Sequence, residues 1–524
     1  MCSLKRCSTL ILLVALLVSC TPATSPSPPD TPAWTSTQPA ATALPHTPTL
    51  LPPTLTPQPT LSPTYTPTLP PTPTLSPLVV PFYHLRIEYA TTSDWANFTF
   101  SNPEAILAMR LVSTPDAPTS TQFSAELVEL FRPVDAIQTE PLVTMVFDLA
   151  IDPAAIQQPL ELVSSHGGIG GSGLSIFAVN GEQTTLLQEI NHYWQDPANP
   201  GRNDTHFKIA LQGLSQFPLV QRQIPRSAPA RLLWAVYYPW IAWDQSAACT
   251  DHPATPYAYS TGVIRTPETY AHQIELAQSA GIDGFFVSWL NDPNLNRNLT
   301  LLLEAAQARN FRIAIYLEST PDPNDRTVHP EAITSWLNYA LTTFSSQPAY
   351  MQLNGKPLVM VYNSSAAPLE TWQEIFTTVE AGGHSASYLG MSYNLGDLQL
   401  FDGLHQYAII GMPNLAAVNL SMARGARNYP LLVTDASQKI FAATVQPGFD
   451  DCPYHPPDTT LFEDRRDGAY YRETFEAAIQ SDPDWIIITS WNEYGETTHI
   501  EPSEFYGEQY LDITREYAQL WKDR

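Results

Sequence analysis

The sequence predicts an α/β protein: a TIM (β/α)8 barrel preceded by a small β-sandwich domain and a disordered Pro/Thr-rich linker. Three observations predict it. Beyond residue 230, β-branched and aromatic runs alternate with helix-length segments, giving eight β/α units in roughly 295 residues, the span of one such barrel. The last of those runs, 485–489, stops directly before Trp491, Asn492, Glu493 and Glu496, and parallel barrels present their chemistry at strand C-termini. Ahead of the barrel, about 150 residues show period-two alternation broken by turn residues, the pattern of a sandwich.

Length and charge bound the function. The chain has 524 residues, enough for two or three units, and a net charge of −26 from 51 acidic against 25 basic residues. Nucleic acids and anionic membrane surfaces select for basic faces, so neither is the main partner. A neutral oligo- or polysaccharide fits.

Residues 1–20 read as a lipoprotein signal peptide. Lys5 and Arg6 precede an apolar run, 10–18, which is too short to span a bilayer, and Ser19 precedes Cys20. The run 17–20, LVSC, resembles a bacterial lipobox, which implies lipidation at Cys20 and anchoring in the cell envelope on the extracytoplasmic side; an ordinary cleaved signal is the alternative. Residues 21–78 hold 18 of the 50 prolines and one charged residue, Asp30. Such a segment buries too little apolar surface to offset its ordering entropy and reads as a disordered tether, reaching on the order of 180 Å if fully extended.

Residues 79–228 form the expected β-sandwich, with strands at 83–89, 98–100, 122–130, 142–149, 174–179 and 206–211. Trp95 and Trp194 are either sugar-stacking platforms or filling for the core or an interdomain seam. The glycine-rich 167–173 lacks the Lys-Ser/Thr of a phosphate loop and reads as a turn.

In the barrel, 229–524, strands are expected at 232–238, 283–289, 312–318, 357–362, 388–393, 403–407, 440–445 and 485–489. Thr266-Pro267-Glu268 supplies a cap, an N1 proline and an early acid for the first helix. Further helices are expected at 294–309, 369–381, 470–480 and 503–521. A doubly wound open sheet is the alternative, but no GxGxxG follows the first strand.

The residues closing these strands are Tyr237, Tyr238, Trp240, Trp289, Glu318, Tyr362, Tyr393, His405, Tyr407 and Asp450, followed by Trp491, Asn492, Glu493 and Glu496. Aromatic faces stack on pyranose rings, and carboxylates move protons and stabilise an oxocarbenium-like transition state. Glu493 and Glu496 are the catalytic candidates and the others, apart from Tyr393, the substrate-binding ones. Each of the others also has a structural reading: Tyr237 and Tyr362 as barrel filling, Asp450 and Asp451 as a solvated loop, Glu318 as an ion pair with an arginine.

ITSWNEYGETTHIEP, at 488–502, resembles the ITSFNEWHEGTQIEP signature of glycoside hydrolase family 99, the endo-α-mannosidase family. YYPW at 237–240, AGIDGFFVSW at 280–289, IYLES around Glu318 and VQPGFDD at 445–451 are similar to its first, second, third and seventh strand motifs. The resemblance covers about 230–524 and implies a retaining endo-glycosidase. Glu493 would act as base on the sugar's own 2-hydroxyl, which attacks the anomeric carbon. Glu496 would protonate the leaving oxygen and then activate water, which needs a carboxyl whose pKa is raised toward neutral. Trp289 and Tyr238 would line the subsite of the cleaved ring. This chain departs where the family's HEG reads Gly495-Glu496-Thr497, where His405 takes a tyrosine's place, and where Trp243-Asp244 and Cys249 replace a glycine-rich loop. Hydrolysis is therefore better supported than mannose specificity.

Two other enzyme classes fit the sequence less well. In a general retaining β-glycosidase an Asn-Glu pair ends the fourth strand, whereas Asn492-Glu493 follows the last. A polysaccharide-biosynthesis protein sits poorly with export, since nucleotide sugars are cytoplasmic. A lipid-anchored glycan-binding protein with a degenerate barrel remains the non-enzymatic reading, decided by whether Glu493 and Glu496 face the cleft. No cofactor is expected, and no metal, because the histidines lack HExxH-type spacing. The protein reads as a monomer. Cys249 and Cys452 are either a disulfide, which an exported protein keeps, or two free thiols.

Overall fold

Eight parallel strands close into a barrel. They are β1 (Leu232–Tyr237), β2 (Gly284–Trp289), β3 (Arg312–Leu317), β4 (Lys356–Val361), β5 (Ser387–Met391), β6 (Gly403–His405), β7 (Ile440–Val445) and β8 (Trp485–Ile488). Each pairs with its neighbours in sequence, and β1 pairs with β8 to complete the ring. In this computed structural model residues 74–524 are described, apart from 94, 114–119, 124–126, 132–141, 167–169, 195–202, 228–230, 241–250, 255–265, 323–324, 435–437 and 453–460. The signal, Cys20, most of the tether, Trp243-Asp244 and Cys249 therefore lie outside the described residues.

Among those residues, helices follow seven of the eight strands: α1 (Pro267–Ser279), α2 (Pro293–Gln307), α3 (Pro330–Thr343), α4 (Leu369–Ala381), α5 (Leu415–Asn428), α6 (Ala469–Gln480) and α7 (Gln509–Lys522). β5 is followed instead by a short 3-10 turn, Leu395–Gln399. The local rules are visible in α2. Asp292 accepts from the backbone N–H groups of Asn294 and Leu295, Pro293 occupies N1, and Leu295, Leu299, Leu302, Leu303 and Ala306 bury one face.

Strand alternation divides the barrel's side chains. Trp234, Val236, Phe286, Ala314, Tyr316, Met360, Leu389, Ala442 and Ile487 pack together inside the ring. Their neighbours along each strand, including Leu233, Tyr237, Phe285, Trp289, Ile315 and Ile486, pack outward against the helices.

Two antiparallel sheets precede the barrel. One is ordered 106–113, 143–151, 74–91, 170–180, 183–194, with 220–227 also paired to 74–91; the other runs 203–209, 160–166, 95–100, 127–131, 120–123. The first strand begins at Thr74, earlier than the expected boundary at 79, and its register shifts between Leu75 and Leu78, where Pro77 cannot join a regular ladder. The expected strand at 122–130 is two strands, 120–123 and 127–131. Trp95 is half-buried, and the side chain of Trp194 lies outside the described residues.

The first sheet is seated on the barrel at the end of α5. Phe82, Ala108, Ala150 and Ile224 pack against Leu431 and Leu432. Arg424 donates to the carbonyl of Pro103 at 3.0 Å and Asn428 to that of Leu107 at 2.7 Å.

Candidate active site

The turn after β8 carries both catalytic candidates and is closed by its own hydrogen bonds. Ser490 N–H donates to Thr498 O at 2.8 Å, Thr498 N–H to Glu493 O at 3.1 Å and Thr497 N–H to Tyr494 O at 3.0 Å. The hydroxyl of Ser490 accepts from Glu493 N–H, and Glu493 Oε1 accepts from Gly495 N–H at 3.2 Å. Glu493 is 5% exposed; Glu496 is half-buried, with Oε2 unpartnered among the described residues.

Burial raises both carboxyls above the ordinary range. Glu493 is pushed well up by desolvation and then by the charge of Glu496, against the lowering effect of backbone N–H groups at Gly495 and Glu496. Glu496 is raised to about 7 by desolvation, then by Asp451 and Glu318, with a hydrogen bond from Tyr407 acting the other way. Two such groups cannot ionise together cheaply. Backbone N–H groups offset part of the rise at Glu493, and Glu318 adds to the rise at both carboxyls.

Aromatic and polar groups from other strands face this pair. Tyr238, just past β1, donates its hydroxyl to Tyr407 at 2.6 Å, and its phenol is held well above its usual pKa first by burial and then by Tyr407, Glu493, Glu318 and Glu496. Glu318, at the end of β3, accepts from Ser288 Oγ at 2.6 Å, and burial pushes it to about 7. Ser288 Oγ accepts in turn from the Trp240 indole at 2.8 Å, and Trp240 is 41% exposed with its ring edge-on to Tyr238. The rings of Tyr362 and Tyr407 meet edge to face at 5.9 Å. A barrel end with three acid-range groups raised together and an exposed indole is equipped for proton transfer to a stacked sugar.

A family model described as glycosyl hydrolase family 99 matches residues 245–521. This chain belongs to glycoside hydrolase family 99. It is thus a glycoside hydrolase, and its relatives agree. A zebrafish (Danio rerio) glycoprotein endo-alpha-1,2-mannosidase-like protein is 28% identical over 68% of this chain and 81% of its own length. The rat (Rattus norvegicus) glycoprotein endo-alpha-1,2-mannosidase is 25% identical over 49% of this chain, which spans 59% of the rat protein. A solved structure of the GH99 endo-alpha-mannosidase from Bacteroides thetaiotaomicron matches at 22% identity over 56% of this chain and 97% of that one, with a TM-score of 0.46.

In this family 99 chain, Tyr238, Trp240, Glu318, Tyr362 and Tyr407 gather on the side of the barrel end that holds Glu493 and Glu496. Seven residues expected at the strand ends are placed otherwise. Tyr237, Trp289 and Trp491 face the helical layer: Tyr237 stacks on Phe285, Trp289 donates to Asn296 at 2.9 Å, and Trp491 packs against Phe285. Strand alternation decides the first two, because Tyr238 and Ser288 take the inner positions. Asn492 spends both ends of its amide on the backbone of Tyr238, at 2.8 and 3.0 Å, and braces β1 to the turn after β8. Asp450 braces through its backbone N–H, which donates to Glu496 O at 3.0 Å, while its carboxylate accepts from Cys452 N–H. His405 lies on the inner face but below the site, 1% exposed and edge-on to Tyr316; burial drives its pKa to about 3, so the ring is neutral. Tyr393 packs among outer residues.

Sequence reasoning missed Ser288, Tyr316 and Arg465; Asp451, for which a solvated loop was the structural alternative, is 5% exposed and bears on Glu496. Alternation from Tyr238 and Glu318 would have found Ser288 and Tyr316. Arg465 carries no such signal. Its Nη2 donates to Thr497 O at 2.6 Å and His499 O at 2.8 Å, and Tyr506 and Tyr510 lie against the guanidinium. It thereby holds Thr497 at φ 47°, a left-handed conformation where the family signature has glycine. Cys452 is disulfide-bonded, and the other half lies outside the described residues. Among the described residues no cluster of His, Cys, Asp or Glu is grouped to hold a metal ion.

Proposed function

We propose that this protein cleaves α-mannosidic or closely related α-linkages within a neutral glycan, with retention, using Glu493 and Glu496. In the first step Glu493 takes the proton of the 2-hydroxyl, that oxygen attacks the anomeric carbon, and Glu496 gives its proton to the departing oxygen. In the second, Glu496 takes a proton from water, the water oxygen attacks the anomeric carbon, the bond to the 2-oxygen breaks, and Glu493 returns its proton. The observation carrying this reading is a pair of carboxyls held in a single turn, both raised by burial and by nearby acids, with backbone N–H donors on Glu493 and a Tyr407 hydrogen bond on Glu496. Tyr238, Trp240 and Tyr362 would contact the sugar, and the acidic surface suits an uncharged substrate.

We further propose that Cys20 is lipidated and that residues 21–78 tether the enzyme on the extracytoplasmic side of a bacterial envelope, as a monomer. Reach would serve an enzyme whose substrate is too large to diffuse. Fractionation of full-length chain tests this: recovery in the soluble fraction would reject the anchor.

The chemical test is Glu496→Gln. It should lower turnover of the cleaved member of an α-mannan and α-glucan panel by roughly 10²–10⁴-fold while leaving glycan binding in place. Wild-type activity should also fall as pH rises through about 7, where Glu496 loses its proton. Wild-type-like turnover by Glu496→Gln removes it from the mechanism.

A further inference from the structure

Behind the catalytic turn lies a buried assembly that neither glutamate's chemistry uses directly. Tyr494, between the two glutamates in sequence, stacks its ring on the His499 imidazole, with centroids 3.9 Å apart and planes 17° from parallel. Its hydroxyl donates to Glu501 Oε2 at 3.2 Å. Glu501 Oε1 accepts from Gln273 of α1 at 2.7 Å, and Gln273 accepts from the hydroxyl of Tyr237 at 2.7 Å. Thus Tyr237, expected at the substrate, instead anchors this assembly to β1.

His499 has a defined proton. Its Nε2 faces the Asp251 carboxylate, which is held below its ordinary pKa and only accepts, so Nε2 carries the hydrogen and Nδ1 lies bare, 3.4 Å from Arg465 Nη2. Nε2 then donates to Asp251 Oδ2 at 3.0 Å, with both side chains 1% exposed. The other oxygen of Asp251 accepts from the backbone of His252 at 2.7 Å and of Phe505 at 3.0 Å. Asp251 thereby joins the segment after β1 to the segment after β8, beside the backbone bonds Ala254 N–H to Pro502 O and Glu504 N–H to His252 O. Tyr494 and His499 stand where the family signature has tryptophan and glutamine, so the stacked pair belongs to this chain's own version of the turn.

We propose that Tyr494, His499 and Asp251 act together as a positioning unit that sets the separation of Glu493 and Glu496. Tyr494 is the member built into the turn; His499 and Asp251 fix its ring from behind, and Glu501 fixes its hydroxyl. The proposal rests on the catalytic roles given to the two glutamates above. Its consequence is specific. Glu496 is faced by Glu493 within the turn, Asp451 from the loop after β7, Glu318 from the end of β3 and Tyr407 beyond β6. A turn released from its support lets Glu496 move from three carboxyls toward water, where it ionises more readily.

Tyr494→Phe and Asp251→Asn in the full-length protein are the test, with His499→Gln as the conservative exchange. On α-mannan, or on α-1,3-glucan if that is what the wild type cleaves, the first two should lose about 10-fold or more in kcat. KM should stay within about twofold, since the groups removed do not touch substrate. The alkaline limb of the rate profile should move to lower pH, by roughly half a unit or more. His499→Gln, which keeps a neutral donor toward Asp251, should retain most of the activity. A purely structural role would scale the whole profile with the folded fraction and leave the limb in place; that result, or wild-type kcat, overturns the proposal. Crystal structures of the wild type and Tyr494→Phe give a readout independent of turnover: an unchanged separation between the two carboxyls overturns it as well. Failure of the wild type to cleave any α-glycan would instead reject the functional reading, leaving the structural comparison to decide the positioning.

Discussion

Glu318 shows how one half-buried side chain can stabilise or destabilise the protein according to pH. Its carboxyl takes a hydrogen bond from Ser288 but is otherwise desolvated, and its pKa lies at about 7. A carboxyl raised above its unfolded value contributes stability that is fully present below the ordinary pKa and is lost as pH rises through the raised one. The shift from 4.5 to about 7 corresponds to roughly 3 kcal/mol between pH 4 and 8. Glu318→Gln carries no such penalty. Its stability relative to wild type should therefore rise by about that amount over the same interval, measured by denaturant unfolding at several pH values. A pH-independent difference would mean that Glu318 titrates normally. The same scale separates what was readable at Glu493 and Glu496 from what was not. Their nearness in a tight turn is a sequence property. The acids that raise Glu496, Asp451 and Glu318, come from two other strands, and nothing in the spacing of a linear chain brings those together.

At the scale of elements, the barrel was legible because eight apolar runs ended in chemically active residues, and each of the eight expected strands is present. The facing of individual side chains was not. Trp289 closes β2 as plainly as Glu318 follows β3, yet Trp289 is one residue out of phase with the interior and belongs to the helical layer. A strand such as GFFVSW, buried along its whole length and carrying Ser288 as its one polar side chain, has no repeated polar alternation to reveal its inner face. What reveals it is the neighbouring strand. A Cβ added at Gly284 would lie 2.5 Å from the Trp234 ring and 2.6 Å from Arg312 O, so this glycine makes room for the indole inside the barrel. Gly284→Ala should destabilise by about 1–3 kcal/mol through overpacking, seen as a lower denaturation midpoint at unchanged slope. An unaffected midpoint would show that Trp234 has space to yield. The strands missed ahead of the barrel have a related cause. Gln183–Trp194 is an edge strand, mostly exposed on both faces, so no alternation marks it.

At the scale of the whole molecule, the sandwich is seated on the barrel through an apolar seam around Leu431, which is fully buried between Phe82, Ala108, Ala150 and Ile224. The seam lies between α5 and β7, at the end of the barrel away from the strand C-termini that carry the site. Leu431→Asp should therefore cost about 3 kcal/mol or more by burying a charge, while kcat/KM of the folded fraction stays unchanged. Loss of activity in step with that destabilisation, even where the protein is fully folded, would show that the seam and the site are coupled.

The sequence by itself determined the barrel, the sandwich ahead of it and the two glutamates after the last strand, because each follows from local periodicity and from residues adjacent in the chain. The hydrolase class came with the turn's resemblance to family 99. Only the tertiary structure decided which aromatics face the glutamates, that Asn492 and Asp450 brace the backbone, and that Arg465, His499 and Asp251 stand behind the turn. Those relations depend on the phase of one strand against the next and on contacts between residues up to 254 positions apart, such as Tyr238 with Asn492. A barrel closes that distance by joining its first strand to its last.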